Sequence, residues 1–333
     1  MQPQTFTALI VEEIAPKTFA RRIGSRNLSD LPAGDLLVRV HYSSLNYKDA
    51  LSATGNPGVS RKFPHTPGID AAGEVVACAS GAFTPGQKVI VTSYDLGMNT
   101  PGGFGEYIRV PSTWAVPLPA GLSVRESMAL GTAGFTAALS VLKLAQAGVQ
   151  PGDGEILVTG ATGGVGSLAV AILAQAGYQV TAATGKASES EFLRRLGATT
   201  VVSRDEVVAG AERPLMKERW AGAVDVVGGP MLAAALKSTK ARGAVTCCGL
   251  VGSAELPVNV FPFILRGVSL IGIDSAECPM QHRRQTWEKL AGPWKLKNLE
   301  STVTEIGLDG LEDQIGAMLK GQTRGRILVQ VKA

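Results

Sequence analysis

Ile156-Leu157-Val158-Thr159-Gly160-Ala161-Thr162-Gly163-Gly164-Val165-Gly166 is the stretch on which the fold of this 333-residue chain turns. Its apolar start, Ile156–Thr159, reads as a short strand, and the Ala- and Leu-rich Gly166–Ala176 that follows the glycines reads as a helix. Outward from it the same alternation repeats: strand Val180–Ala183, helix Ser188–Leu196, strand Thr200–Val202, then strands Asp225–Val227 and Ala244–Cys248. Strands and helices joined by turns of a few residues are the signature of a parallel, doubly wound sheet. Just upstream, Ser123–Ala147 has helical spacing interrupted near Gly131–Gly134.

Gly160, Gly163 and Gly166 keep a three-residue rhythm between a strand and a helix, the context a dinucleotide fingerprint requires. In that Rossmann arrangement the glycines permit the tight turn, the approach of backbone to pyrophosphate and the packing of helix on strand. The pyrophosphate would rest on the positive helix end at Thr162, Gly163, Gly164 and Val165. An NAD site carries an acid ~20 residues beyond the turn, where it binds the ribose 2′-hydroxyl. Here the second strand ends in Thr181-Ala182-Ala183-Thr184-Gly185-Lys186, and no acid occurs before Glu189. A carboxylate would repel a 2′-phosphate, whereas Thr184, Gly185 and Lys186, with Arg204 after the third strand, would accept it. The expected cofactor is therefore NADPH, although Lys186 and Arg204 also read as ordinary surface cations.

The rest of the chain differs in kind. Phe6–Val11, Leu36–Tyr42, Gly73–Ala77, Lys88–Thr92 and Glu106–Val110 read as short strands between Gly or Pro punctuation, and Asp95–Gly105 reads as a loop. After Ser275 come helices at Met280–Leu290 and Leu311–Leu319 and a closing strand, Arg326–Val331, expected to return to the first domain. The domains expected are residues 1–125 with 276–333, β-rich and discontinuous, and residues 126–275, the dinucleotide-binding domain. Hydrophobic residues make up 45% and Gly numbers 40, which suits an α/β protein with many tight turns. A net charge of +4 with no block of like charges gives no nucleic-acid surface. Cys78, Cys247, Cys248 and Cys278 form no Cys-x-x-Cys and read as buried small side chains. Met1-Gln2-Pro3-Gln4 shows no leader pattern, and no apolar run of roughly 18 residues appears, so a cytoplasmic chain without a membrane span is expected.

These features together resemble the medium-chain dehydrogenase/reductase superfamily over essentially the whole chain, which implies a Rossmann domain beside a β-rich, GroES-like catalytic domain. Zinc-dependent members carry a Cys at the end of a first-domain strand and a Gly-His-Glu about twenty residues on; here Asn46 and Ile69 stand at those places, and Asp95–Gly105 lacks the structural-zinc cysteines. Zinc needs three or four N, S or O donors together, so no metal site is expected; a lone His65 reads as structural. Without a Lewis acid the substrate must already be electrophilic, a conjugated C=C or a quinone. Ser43-Ser44-Leu45-Asn46-Tyr47-Lys48-Asp49, Gly131-Thr132-Ala133-Gly134-Phe135-Thr136-Ala137 and Pro262-Phe263-Ile264-Leu265-Arg266 are most similar to the zinc-free, quinone-oxidoreductase-like branch and within it to NADPH-dependent acryloyl-CoA reductases. That resemblance implies NADPH contacts at Tyr47, the Thr162–Val165 turn, Thr184–Lys186, Arg204, Leu250, Ile264 and Ser275, and a homodimer.

The implied reaction is conjugate reduction of an enoyl-CoA thioester, with Asn46 and Tyr47 as catalytic side chains. Either could donate to the developing oxyanion, and the Tyr47 phenol could instead protonate the α-carbon. Tyr47 packing on the cofactor stays open as the other reading. Asp49 reads as a helix N-cap and Asp70 as an acceptor at its turn. Arg61, Lys62, Arg283 and Arg284 are candidate cations for the CoA phosphates. The competing readings are an NADPH-dependent quinone or enone reductase and a non-catalytic NADPH-binding protein.

Overall fold

Punctuated short strands fill the first third of the chain. The computed structural model describes residues 4–331, so the Met1–Pro3 segment read for a leader lies outside the described residues. β1 (Thr5–Ala15) and β2 (Thr18–Asn27) make an antiparallel hairpin, followed by β3 (Leu36–Leu45), helix α1 (Tyr47–Ala53), β4 (Asp70–Cys78), β5 (Lys88–Thr92), β6 (Tyr107–Val110) and β7 (Ala115–Pro117). β3, β4, β5 and β7 pair in that order, with β6 on β3. Their inward residues, among them Leu36, Val38, Val75, Val89 and Ile108, form one buried cluster. β2 has no counterpart in the sequence reading. Its Arg21, Arg22 and Arg26 interrupt the apolar alternation, and cross-strand pairing such as Arg22 with Glu12 (2.8 Å) holds it in place.

The second half winds as its alternation demands. α2 (Val124–Gln146) is followed by β8 (Glu155–Val158), α3 (Gly164–Gln175), β9 (Gln179–Thr184), α4 (Ser190–Arg195), β10 (Thr200–Ser203), α5 (Arg204–Val208), β11 (Trp220–Asp225), α6 (Gly229–Ser238), β12 (Thr239–Cys247), α7 (Phe261–Arg266) and β13 (Ser269–Gly272). All six strands are parallel in the order β10-β9-β8-β11-β12-β13, the doubly wound dinucleotide-binding arrangement. The central strands are buried on both faces, which explains their unbroken apolar runs. α8 (Met280–Ala291), β14 (Val303–Gly307), α9 (Leu311–Leu319) and β15 (Arg326–Gln330) complete the chain, and β15 pairs with β3.

Among the described residues the chain divides into two units. The first takes the chain up to Thr132, Ala276–Trp287 and the chain from Leu299 on; the second takes Ala133–Ser275 and Glu288–Asn298. The chain passes between them at 132/133, at 275/276, at 287/288 and at 298/299. The joints at 132/133 and 287/288 fall inside α2 and α8, where composition does not change, so the sequence reading put the first at 125/126 and gave no excursion over 288–298.

α2 corrects the expectation that no long apolar span exists: by length and composition it could cross a membrane. Gly131 breaks it (φ 54°, ψ −158°), and 83% of its most apolar window is buried inside the fold. Among the described residues the cysteines form no disulfide, and of the four only Cys278 is fully buried; the other three are half-buried.

Candidate active site

The Gly-rich turn of the second unit is built on a locked strand end. Thr159, just after β8, donates its hydroxyl to Asp225 Oδ1 (2.7 Å) and accepts from Val226 N (3.1 Å). Asp225 Oδ2 in turn accepts from Gly228 N (2.7 Å). Burial pushes the Asp225 carboxyl up, against these hydrogen bonds. β8 and β11 are the strands at which the order reverses, so this bond ties the two ends that flank a dinucleotide crevice. The chain then turns at Gly160. Gly163 occupies the cap position of α3 without a side-chain cap, and the N–H groups of the first turn have no partner within the helix. A Cβ on Gly166 would lie 2.3 Å from Gly160 O, so only glycine lets α3 start this close to the turn.

The residues named at the end of the second strand lie close together. Thr184 is buried at the end of β9, its Oγ1 3.5 Å from Thr162 Oγ1 and accepting from Lys186 N (3.0 Å). Strand β10 pairs Ser203 with Thr184, which sets Arg204 alongside: a Cβ on Gly185 would stand 2.9 Å from Arg204 Nε. Thr162, Thr184, Gly185, Lys186 and Arg204 thus come together with no carboxylate among them. Leu250 is 67% exposed and lines a cavity of about 570 Å³ with Gly228, Cys247, Ile273 and Asp274. Ile264 is exposed on α7 outside that cavity, and Ser275 Oγ accepts from Thr136 Oγ1 (2.8 Å).

The first unit carries a buried polar network where β3 gives way to α1. Asn46 stands at the cap position, Tyr47 begins the helix, and the Asp49 carboxylate accepts from Asn46 N (2.8 Å) and Ile69 N (2.7 Å). Asp49 is therefore not the N-cap the sequence suggests; it closes the cap from the third helical position. Asp70, fully buried at the start of β4, is more than a turn acceptor. It takes hydrogen bonds from Ser44 Oγ (2.6 Å), Asn46 Nδ2 (2.8 Å), Thr132 N (3.0 Å) and Thr132 Oγ1 (2.5 Å). Arg326, 2% exposed at the head of β15, donates to Asn46 Oδ1 (3.1 Å) and Ala129 O (3.1 Å).

This geometry corrects one expectation. Both hydrogens on Asn46 Nδ2 face acceptors of the protein, Asp70 and then Asp49 or Ser44 O (3.2 Å each), so none is left for a substrate oxyanion. Tyr47, in contrast, is 47% exposed. A second correction concerns Arg283, which is buried and donates to Thr92 O, Thr92 Oγ1 and Ala276 O, out of reach of a CoA phosphate; Arg61, Lys62 and Arg284 are exposed. Sequence reasoning missed Arg326, Ser44 and Thr132. A charge heading the apolar run Arg326-Ile327-Leu328-Val329 was the available signal for the first.

The donor set does not suit zinc. Ile69 is apolar, the Asn46 carboxamide is engaged, and His65 Nε2 lies 2.9 Å from Gly97 O. Among the described residues no group of three or more His, Cys, Asp or Glu could hold a metal.

Two predictions arise here. Gly131 has a backbone conformation reserved for glycine, and a Cβ there would come within 2.4–2.7 Å of Ser44 Oγ, Asp70 Oδ2 and Arg326 Nη2. Gly131→Ala is expected to destabilise the protein by about 3–5 kcal/mol through strain and overpacking; a change under about 1 kcal/mol in chemical denaturation would refute the crowding. Burial and the neighbouring Asp70 push the Asp49 carboxyl up to about 7, from 3.8. The folded state then holds a proton that the unfolded state has released, so stability is greatest below the lower value and is lost as pH rises to about 7. The loss is on the order of 4 kcal/mol. Denaturation midpoints for wild type should fall from pH 5 to pH 8 and Asp49→Asn should flatten that slope; parallel slopes would contradict it.

The chain matches the family model of the alcohol dehydrogenase GroES-like domain over residues 32–120 and that of the zinc-binding dehydrogenase over residues 164–292. It is 46% identical over 330 residues to the acrylyl-CoA reductase AcuI of Ruegeria pomeroyi, covering 98% of this chain and all of that protein. It is also 46% identical over 303 residues to the putative quinone oxidoreductase YhfP of Bacillus subtilis, covering 91% and 92%. Among solved structures, the yhdH oxidoreductase of Salmonella enterica in complex with NADP superposes with a TM-score of 0.95 at 46% identity, over 98% of this chain and all of that one. Bacillus subtilis yhfP with NAD bound gives 0.96 at 43%, over 99% and 100%.

Proposed function

The chain belongs to the medium-chain dehydrogenase/reductase superfamily, in its quinone-oxidoreductase-like branch, and from that premise we propose that it reduces the conjugated double bond of acryloyl-CoA to propanoyl-CoA with NADPH. The observation that carries this reading is a complete dinucleotide turn in a chain whose metal-ligand positions hold the engaged Asn46 and the apolar Ile69. With no donor set for a Lewis acid, the substrate must supply its own electrophile, and an enoyl thioester does so. The likeness to AcuI over the full length of both chains supports that thioester.

When bound, NADPH supplies hydride to the substrate's β-carbon. Thr162 and the uncapped start of α3 hold its pyrophosphate, and Lys186 with Arg204 take the 2′-phosphate. The electron pair displaced from the double bond moves to the thioester oxygen. Tyr47 donates the proton that then forms the α C–H bond, and its exposed phenol regains a proton from solvent. Asn46 shapes the helix start from which Tyr47 projects. The exposed Arg61, Lys62 and Arg284 remain the cations for CoA phosphates.

The test compares kcat/KM for acryloyl-CoA with that for a simple quinone and a simple enone. At least a hundredfold preference for acryloyl-CoA is expected. Preference for the quinone, which the likeness to YhfP would favour, replaces this substrate with the other, and NADPH binding without turnover of any acceptor means a non-catalytic protein.

The reading includes a homodimer. β13 is an edge strand, and Leu270 upon it is 37% exposed, with Val260 (59%), Phe261 (40%) and Leu265 (65%) exposed nearby in sequence. Leu265→Glu is expected to halve the mass measured by light scattering. An unchanged dimer, or a wild-type monomer, excludes this surface.

A further inference from the structure

The network around Asn46 holds more charge than the proposed chemistry uses. Asp49 and Asp70 are wholly enclosed, and the guanidinium of Arg326 is their buried counter-charge. The balance is poor: above about pH 7, where Asp49 too is ionised, two carboxylates face one cation, and Arg326 Nη2 finds no hydrogen-bond partner among the described residues, with Asp70 Oδ2 3.9 Å away. Enclosed charges in such a ratio do not favour folding, since an apolar filling of equal volume is commonly as stable or more so.

What the arrangement does achieve is geometric. The Asn46 carboxamide touches all three charges: Oδ1 accepts from Arg326 Nη1 (3.1 Å), and Nδ2 donates to Asp70 Oδ2 (2.8 Å) and Asp49 Oδ2 (3.2 Å). Turning the amide over would set its NH2 against the guanidinium and its oxygen against two carboxylates. Only one orientation survives. Asp49 also takes the Asn46 backbone N–H, which fixes the residue immediately before Tyr47. Gly131 closes the far side, its missing Cβ leaving room for Asp70 and Arg326.

We infer that Asp49, Asp70 and Arg326 form a charge triad that positions Asn46 and, through the helix start, the Tyr47 phenol, so that unbalancing it lowers turnover and spares cofactor affinity. The inference rests on Tyr47 acting in the reaction as proposed above. The three are positioning residues, and none touches substrate.

The experiment uses Asp70→Asn, Arg326→Met and the double variant in the full-length protein. Each single variant should lower kcat at least tenfold while the NADPH dissociation constant stays within twofold. The double variant removes Asp70 and Arg326 together and leaves Asp49, which keeps its proton below about pH 7, so at pH 6 its Tm should return toward wild type, but its kcat should stay low because Asn46 has lost two clamps. Recovery of kcat together with Tm, or wild-type kcat in the singles, would show the triad to be structural only. Ratios to wild type are read on whichever acceptor wild type reduces, acryloyl-CoA or a quinone, so a wrong substrate does not disturb the result. If wild type reduces neither, or a variant fails to fold, hydrogen exchange of the Asn46 side-chain amide in ¹⁵N-asparagine-labelled wild type decides. Exchange at least a hundredfold slower than for exposed asparagine amides supports the clamp, and exchange at their rate overturns it.

Discussion

Tyr47→Phe is expected to lower kcat for enoyl-CoA reduction about a hundredfold or more, the scale on which a positioned general acid acts. The substitution removes one oxygen and little else. Tyr47 is 47% exposed, and no hydrogen bond engages its hydroxyl among the described residues. Losing that hydroxyl strands no buried partner, so stability should change by less than about 0.5 kcal/mol. The ring stays, so any packing on the cofactor stays too, and the NADPH dissociation constant should hold within twofold. A fall in kcat with unchanged binding marks an interaction made only in the transition state. Wild-type kcat in Tyr47→Phe would leave the ring as a packing surface and remove the proton donor from the mechanism. Asn46→Ala is the instructive contrast, because it unclamps buried charges and should lower Tm as well as kcat.

That contrast was not legible in the sequence. Asn46 and Tyr47 are adjacent and both polar, and a linear reading gave them the same task. What separates them is tertiary: Asp70 arrives from β4, Arg326 from β15 across almost the whole chain, and Thr132 from the kink in α2. No local pattern encodes such convergence. Asp49 shows the same limit at shorter range. An Asp near a helix start suggests a cap, but the chain places Asn46 there and folds the Asp49 carboxylate back onto its N–H. The second unit was far more readable. Its central strands are buried on both faces, which forces apolar runs, and Gly160 and Gly166 sit where a turn or a close contact admits nothing else. β2 escaped because its own arginines break the apolar alternation, and what places it is its register against β1, which leaves no period in the sequence.

Arg204→Ala is expected to raise the NADPH dissociation constant about 10- to 100-fold and to leave that for NADH within twofold. A charge-assisted hydrogen bond to phosphate contributes about 1.5–3 kcal/mol, and 1.4 kcal/mol is tenfold in affinity. The guanidinium lies across Gly185, next to Thr184 and Lys186 at the end of β9, where an NAD site would carry an acid. Lys186→Ala should act in the same direction. Because Arg204 is exposed, its effect should shrink as salt rises from 0.05 to 0.5 M, on the scale set by a screening length of about 10 Å at 0.1 M. Likeness alone does not choose the cofactor, since one relative was solved with NADP and another with NAD. The residues must decide. Gly185→Asp would place a carboxylate in this pocket, displacing the flexible Arg204 side chain 2.9 Å from the new Cβ, and should turn preference toward NADH. Equal losses for both nucleotides in Arg204→Ala would mean that the cation supports the fold of the loop rather than the 2′-phosphate, and the assignment of NADPH would then lose its physical basis.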